Sequence, residues 1–202
     1  MYTPKEFALP AHQELTSFLK ENAFATLISV TDLGLPIATH LPLVIKEIED
    51  ELIFEGHISN ANKHSFLLND NKEILVVFQG AHGYVSSSVY ENENVPTWNY
   101  QTIHAQGEVN AISEIEMEQH LAELVDTYES SRENSLEYKN FNPKMISSYK
   151  LEISGFRIKV KSLEGAFKLS QNRSEKDQKA IVEDLERCPH TAALAKAMKD
   201  NL

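Results

Sequence analysis

Val95–Gly107 reads VPTWNYQTIHAQG, and it sets the chain's one tryptophan between a proline, an asparagine and a tyrosine before running directly into a strand pattern. From Thr102 to Ile112 the residues alternate, with Ile103, Ala105, Gly107 and Val109 on one face and His104, Gln106 and Glu108 on the other. Flat, hydrogen-bonding side chains at a strand entrance suit a planar ligand, because aromatic faces stack while amide and hydroxyl edges orient. A lone Trp beside a Tyr is more often a core plug or an oligomer contact. The flanking sequence decides between the two.

Upstream, strand patterns dominate. Glu73–Gln79 (EILVVFQ) is the most continuous apolar segment and reads as a central strand; Gly80–Gly83 reads as a break, after which Tyr84–Tyr90 (YVSSSVY) alternates as another strand. Ala23–Thr31 and Pro36–Ile45 flank the turn residues Asp32-Leu33-Gly34 as a hairpin, and Glu51–His57 follows a turn at Glu47–Asp50, so antiparallel pairing is expected. So many strands with little helix between them point to a small barrel or sandwich. Two helices interrupt them. His12–Asn22 places Leu15, Phe18 and Leu19 on one stripe, and Ile58–Asp70 turns helical around Phe66, Leu67 and Leu68, with Ser59, Asn60 or Asn62 as its cap. That helix entrance beside Lys63 is a candidate phosphate seat, and a plain cap with a solvated lysine is the competing reading.

Downstream, Ser113 stands three residues before Glu116 as in a capping box, and Met117, Leu121, Leu124, Val125 and Tyr128 form a helical stripe. Asn142-Pro143 opens a short helix through Tyr149. Leu151–Val160 is a last strand in which Gly155 marks an expected bulge. Leu163–Arg173 then leads into helical segments Glu175–Arg187 and His190–Asn201, parted at Cys188-Pro189. The expectation is one α+β domain over residues 1–202, with 168–202 as a helical appendage.

Composition excludes more than it proves. A chain of 202 residues buries roughly 70% of its unfolded surface, enough for a substantial core. The single Cys188 has no intrachain disulfide partner, MYTPKEFALP lacks a signal-peptide pattern, and no apolar run approaches the roughly 20 residues that cross a bilayer. A cytoplasmic location follows as the expectation. The net charge of −11 opposes attraction to nucleic acid, although from Lys168 onward seven Lys/Arg face six Asp/Glu, so the tail is nearly neutral. P-loop, dinucleotide, zinc-protease and CxxC motifs are absent. His40, His57, His82 and His104 read as structural or hydrogen-bonding residues rather than metal ligands, Cys188 as a structural thiol, and the two tail helices as a packed hairpin rather than a DNA reader.

With MYTPKEF, GHISNAN, VFQGAHGYVSSSVY, VPTWNY, IHAQG and GAFKLSQNR in this order, the chain resembles the PaiB-type family of FMN-binding negative transcriptional regulators almost end to end. The pair PTWNY and KLSQNR is the specific part of the match. The resemblance implies an FMN-binding split β-barrel related to the pyridoxamine-phosphate-oxidase-like flavoproteins, with peripheral helices, and a homodimer with flavin sites at the subunit interface. It also implies repression of protease and sporulation genes in some bacteria. Carried over by position, Thr39, His40 and Leu41 with Ser59, Asn60, Asn62 and Lys63 form one wall of the flavin site. Trp98, Asn99, Tyr100 and His104 with Lys168, Ser170, Gln171 and Asn172 complete it, some from the partner subunit. Two positions depart from many relatives: Ser87 or Ser88 and Val89 replace a Pro and a Trp, and Gln106 replaces a second His. Loss of an aromatic removes stacking surface, which leaves FMN occupancy open. The implied function is a cytoplasmic FMN-binding regulator that does not read DNA through its barrel. A flavin-dependent oxidoreductase, suggested by His104, Gln106 and Asn99, stays open beside it, as does a haem-handling relative of the same barrel.

Overall fold

A computed structural model describes residues 1–8, 12–65 and 72–202. Its strands are β1 (Phe24–Val30), β2 (Pro36–Pro42), β3 (Val44–Ile48), β4 (Glu51–Ser59), β5 (Glu73–Val85), β6 (Thr97–Ala111) and β7 (Ile153–Lys168). The helices are α1 (His12–Glu21), α2 (Glu114–Glu129), α3 (Pro143–Lys150), α4 (Glu175–Glu186) and α5 (Ala192–Asp200). All seven strands join one sheet in the order β2-β1-β5-β6-β7-β4-β3. Among the described residues no helix is long and apolar enough to cross a membrane.

The chain divides into two compact units. One comprises Met1–Phe18, Phe78–His104 and Glu164–Leu202; the other comprises Leu19–Val77 and Ala105–Leu163. The long strands β5, β6 and β7 each contribute one end to each unit.

In the unit of Leu19–Val77 and Ala105–Leu163, two antiparallel hairpins set the frame. β1 pairs with β2 from Phe24↔Pro42 to Val30↔Pro36, and β3 pairs with β4 from Val44↔Glu55 to Ile48↔Glu51. Glu49 (φ 50°) and Asp50 (φ 65°) both take the left-handed conformation that a tight hairpin turn needs. The extended run expected over Pro36–Ile45 is in fact two strands. Leu43 is buried at the corner, its N–H donating to Ala23 O at 2.9 Å, and the chain changes partner there. The expected bulge at Gly155 is also absent, since β4 and β7 keep an unbroken register through His57↔Gly155. Glycine is required there for space: a Cβ would come within 2.7 Å of the Ile112 and Met117 side chains. α2 carries its predicted capping box at Ser113 and Glu116, but it buries Met117 and His120 rather than the whole expected stripe, and Tyr128 is 46% exposed.

The other unit holds a core of Val85, Tyr90, Leu169, Ile181, Val182, Leu185, Leu194, Ala195 and Met198. The tail helices α4 and α5 supply most of it. Each large aliphatic side chain so buried contributes about 1.5–3 kcal/mol of transfer free energy. β5 crosses the expected break at Gly80–Gly83 without interruption. Those glycines make room, because a Cβ would lie 2.6 Å from Phe18 at Gly80 and 3.0 Å from Thr191 at Gly83. The expected strand Tyr84–Tyr90 ends at Val85 instead, and Ser87–Val89 is a 3-10 turn whose cap Ser86 accepts the Ser88 N–H through its side chain. Serine oxygens that bond their own backbone compete with a strand ladder. β7 runs on to Lys168, well past the expected end at Val160.

Candidate functional site

The predicted site residues fall into two groups, one in each compact unit. In the first, Thr97–Tyr100 is already strand, so alternation assigns each of these residues a side. Asn99 and Ile103 are buried, while Trp98, Tyr100, Thr102 and His104 line the opposite face. The buried side explains why PTWNY and KLSQNR occur together. Lys168 Nζ donates to Thr97 Oγ1, and two residues further along each segment Asn99 Nδ2 donates to Ser170 Oγ at 2.9 Å. Ser170 Oγ also lies 3.2 Å from Asn99 Oδ1, and Asn99 Nδ2 reaches Met198 Sδ at 3.5 Å. Ser170 has φ 61°, which turns the chain sharply after β7. Gln171 braces that turn, its Nε2 donating to Phe167 O at 2.6 Å and its Oε1 accepting from Leu169 N at 2.7 Å.

Of the expected ligand contacts, Asn99 and Ser170 bond each other, Gln171 bonds the backbone and Lys168 bonds the Thr97 hydroxyl. They position the strand that carries Trp98. Burial lowers the pKa of Lys168, and the Arg173 charge lowers it further. Asn172 is exposed at the turn.

The open side carries the aromatics. Trp98 is 51% and Tyr84 52% exposed. Trp98 Nε1 donates to His82 Nδ1 at 3.3 Å, the two ring planes differ by 26°, and Tyr84 lies 6.4 Å from the indole, centroid to centroid. His82 and Tyr84 share this face with Trp98, and reading Gly80–Gly83 as a break hides the alternation that puts both on one face of β5. At the far end of this stretch of β6, burial lowers the pKa of His104; the chain's N-terminal ammonium lowers it further, while Glu164 opposes. That ammonium donates to Glu164.

The second group gathers around a histidine the sequence reading passed over. His64 is fully buried; its Nδ1 lies 3.0 Å from Thr39 Oγ1 and its Nε2 2.8 Å from Ser29 Oγ. Asn62 Nδ2 donates to Thr39 Oγ1 at 3.3 Å, and Asn62 Oδ1 accepts the His64 N–H at 2.9 Å. Thr39 and Asn62 are thus brought together. Burial holds the His64 imidazole below its ordinary pKa, so it is a neutral hydrogen-bonding strut. Leu41 is a core residue at 6% exposure, whereas His40, on the opposite face of β2, is exposed with Nδ1 2.9 Å from Thr26 Oγ1 and its ring stacked on Phe24.

Asn60 is tied down, donating to Leu151 O at 3.0 Å and accepting from Ser154 Oγ at 2.6 Å. Ser59 Oγ accepts the Ala61 N–H at 3.3 Å, and exposed Lys63 begins a 3-10 turn over residues 63–65. The expected helix through Phe66, Leu67 and Leu68 lies outside the described residues, so the phosphate seat remains an expectation. Among the described residues no group of three or more His, Cys, Asp or Glu is placed to hold a metal ion.

A family model described as "Putative FMN-binding domain" matches residues 1–162. The chain is 39% identical over 204 residues to the protease synthase and sporulation protein PAI 2 of Bacillus subtilis (strain 168), covering 100% of this chain and 98% of that protein. Among solved structures, the fold is similar to that of an FAD and haem binding protein from Mycobacterium smegmatis, with TM-score 0.61 and 16% identity over 86% of this chain and 78% of that one. It is also similar to a flavocytochrome from Azotobacter vinelandii, with TM-score 0.59 and 15% identity over 86% and 75% of the two chains. At such low identities these likenesses carry the fold alone, and it is the α+β split barrel expected from the sequence.

Proposed function

We propose, from the premise that this chain belongs to the PaiB-type FMN-binding domain family, that it is a homodimeric FMN-binding regulator. The observation that carries the reading is the open aromatic face of Trp98, His82 and Tyr84, held by the Thr97–Lys168 and Asn99–Ser170 cross-links on the other side of the strand. The residues present fit a flavin nucleotide. Trp98 offers a stacking surface, while Tyr100 and His104 on the same strand face offer hydrogen bonds to a ring edge. Lys63 and Ser59 are suited to a phosphate, and such local donors are needed because an anion approaches a chain of net charge −11. FMN, when bound, supplies electron-transfer chemistry; the chain's part is to bind and orient it.

In this reading the flavin sites form at the homodimer interface. Regulation of protease and sporulation genes is supported by the name of the Bacillus relative and its full-length match. The oxidoreductase alternative is weaker, since Asn99, one of the polar groups that suggested it, is fully buried and bonded to Ser170. Steady NAD(P)H oxidation by FMN-loaded protein would reverse that preference.

The test is flavin fluorescence on titrating FMN with purified wild type and Trp98→Ala, together with the mass in solution. Wild type should be dimeric and quench the flavin, and the variant should quench it far less. Unquenched flavin with the wild-type protein would overturn the proposal.

A further inference from the structure

The contact between Trp98 and His82 is more specific than two rings lying near each other. An indole N–H lies in the ring plane and only donates, so His82 Nδ1 accepts it through an in-plane lone pair and its Nε2 carries the proton. The hydrogen bond joins the two rings at their edges, with 3.3 Å between those nitrogens, 26° between planes and 5.9 Å between centroids. Face-to-face stacking would not allow that hydrogen bond. A single indole is narrower than a fused three-ring heterocycle; indole and imidazole side by side come closer to its length. Tyr84, tilted by 59° to the indole, stands at the margin as a side wall. His82 and Tyr84 alternate on β5, Trp98 follows on the adjacent β6, and all three are exposed.

We propose that His82 is the positioning residue of the flavin site: it fixes the plane of the Trp98 indole through the Nε1–H bond and widens it into a platform for a planar fused-ring ligand. This rests on the FMN-binding reading above. It also gives the shelf a means of stacking a tricycle where Ser87, Ser88 and Val89 offer no aromatic of their own.

Trp98 is the chain's only tryptophan, so intrinsic indole emission reports on this residue alone. The experiment compares wild type, His82→Ala and His82→Asn, the last retaining an acceptor near the Nδ1 position. It reads the anisotropy decay of Trp98 without ligand and the affinity for FMN by flavin quenching. His82 is exposed, so the substitutions leave the core intact. The expected result is faster indole motion and about tenfold weaker FMN binding in His82→Ala, with both largely restored in His82→Asn. If wild type binds FMN and His82→Ala matches it in affinity and anisotropy, the positioning role is overturned while the FMN reading stands. If wild type itself leaves FMN unquenched, both fall together.

Discussion

His120 has no solvent exposure, and its Nε2 lies 3.1 Å from His57 Nδ1. One of these nitrogens donates and the other accepts, so the bond is lost once both rings are protonated. Among the described residues, His120 Nδ1 is buried without a hydrogen-bond partner, an arrangement that costs about 1–3 kcal/mol. Burial is the largest cause lowering the His120 pKa to about 4, with His57 lowering it further, and burial lowers the His57 pKa too. The folded state therefore binds protons less readily than the unfolded chain, whose histidines titrate near 6.5. The stability this contributes is fully present above pH 6.5 and is lost as pH falls from 6.5 toward 4. For His120 alone the loss reaches about 3 kcal/mol. Urea midpoints measured from pH 7 to pH 4 should fall across this window, and His120→Leu should flatten the slope. An unchanged slope in the variant would place the acid sensitivity elsewhere; Glu55, its pKa lowered by Lys46 and Arg157 despite burial, acts only below about 4.5. None of this was legible in the sequence. The two histidines are separated by 63 positions, and nothing in local spacing says that they meet.

Among the elements, those governed by local chemistry were the readable ones. α2 begins where Ser113 and Glu116 said it would, with Ser113 Oγ accepting Glu116 N–H at 3.3 Å and donating to Glu116 Oε2 at 2.7 Å. Asn142 likewise caps α3 ahead of Pro143. β5 was misread because Gly80 and Gly83 serve the close approach of Phe18 and Thr191, contacts that depend on distant sequence. The candidate site divides in the same way. Trp98 and Tyr100 were identified from aromatic density, whereas the roles of Asn99 and Ser170 emerge only once β6 and the end of β7 are brought together. The capping box permits a direct check. Ser113→Ala should cost about 1 kcal/mol in chemical denaturation while leaving FMN binding unchanged, since Glu116 still accepts from Ser113 N–H at 2.8 Å and pairs with Arg157 at 2.9 Å. A loss well above 2 kcal/mol would mean that the box anchors more than the first turn.

At the scale of the molecule, charge bears on the proposed regulatory role. Binding to duplex DNA needs cations available to neutralise phosphates, and each such contact steepens the salt dependence. The net charge is −11, and in the tail, the least acidic part of the sequence, four of the seven cations stand in ion pairs, while exposed Lys196 has none among the described residues. Lys176 is on Glu91, Lys179 on Glu175, Arg187 on Asp184 and Lys199 on Glu186. Arg173 lies over the Tyr90 ring at 5.3 Å, and Lys168 donates to Thr97. Presenting these groups to phosphate would mean breaking contacts in a surrounding field that already repels it. α5 exposes little besides short apolar and lysine side chains, without the Arg, Asn or Gln cluster that reads base edges. The FMN-loaded protein should therefore show no sequence-specific shift of a promoter fragment at about 0.15 M salt, and any residual binding should be lost steeply as salt rises. On the regulatory reading proposed above, repression would then run through a protein partner or through flavin availability. A promoter-specific complex that withstands that ionic strength, measured by fluorescence anisotropy against a scrambled fragment, would establish direct reading and overturn the indirect mechanism.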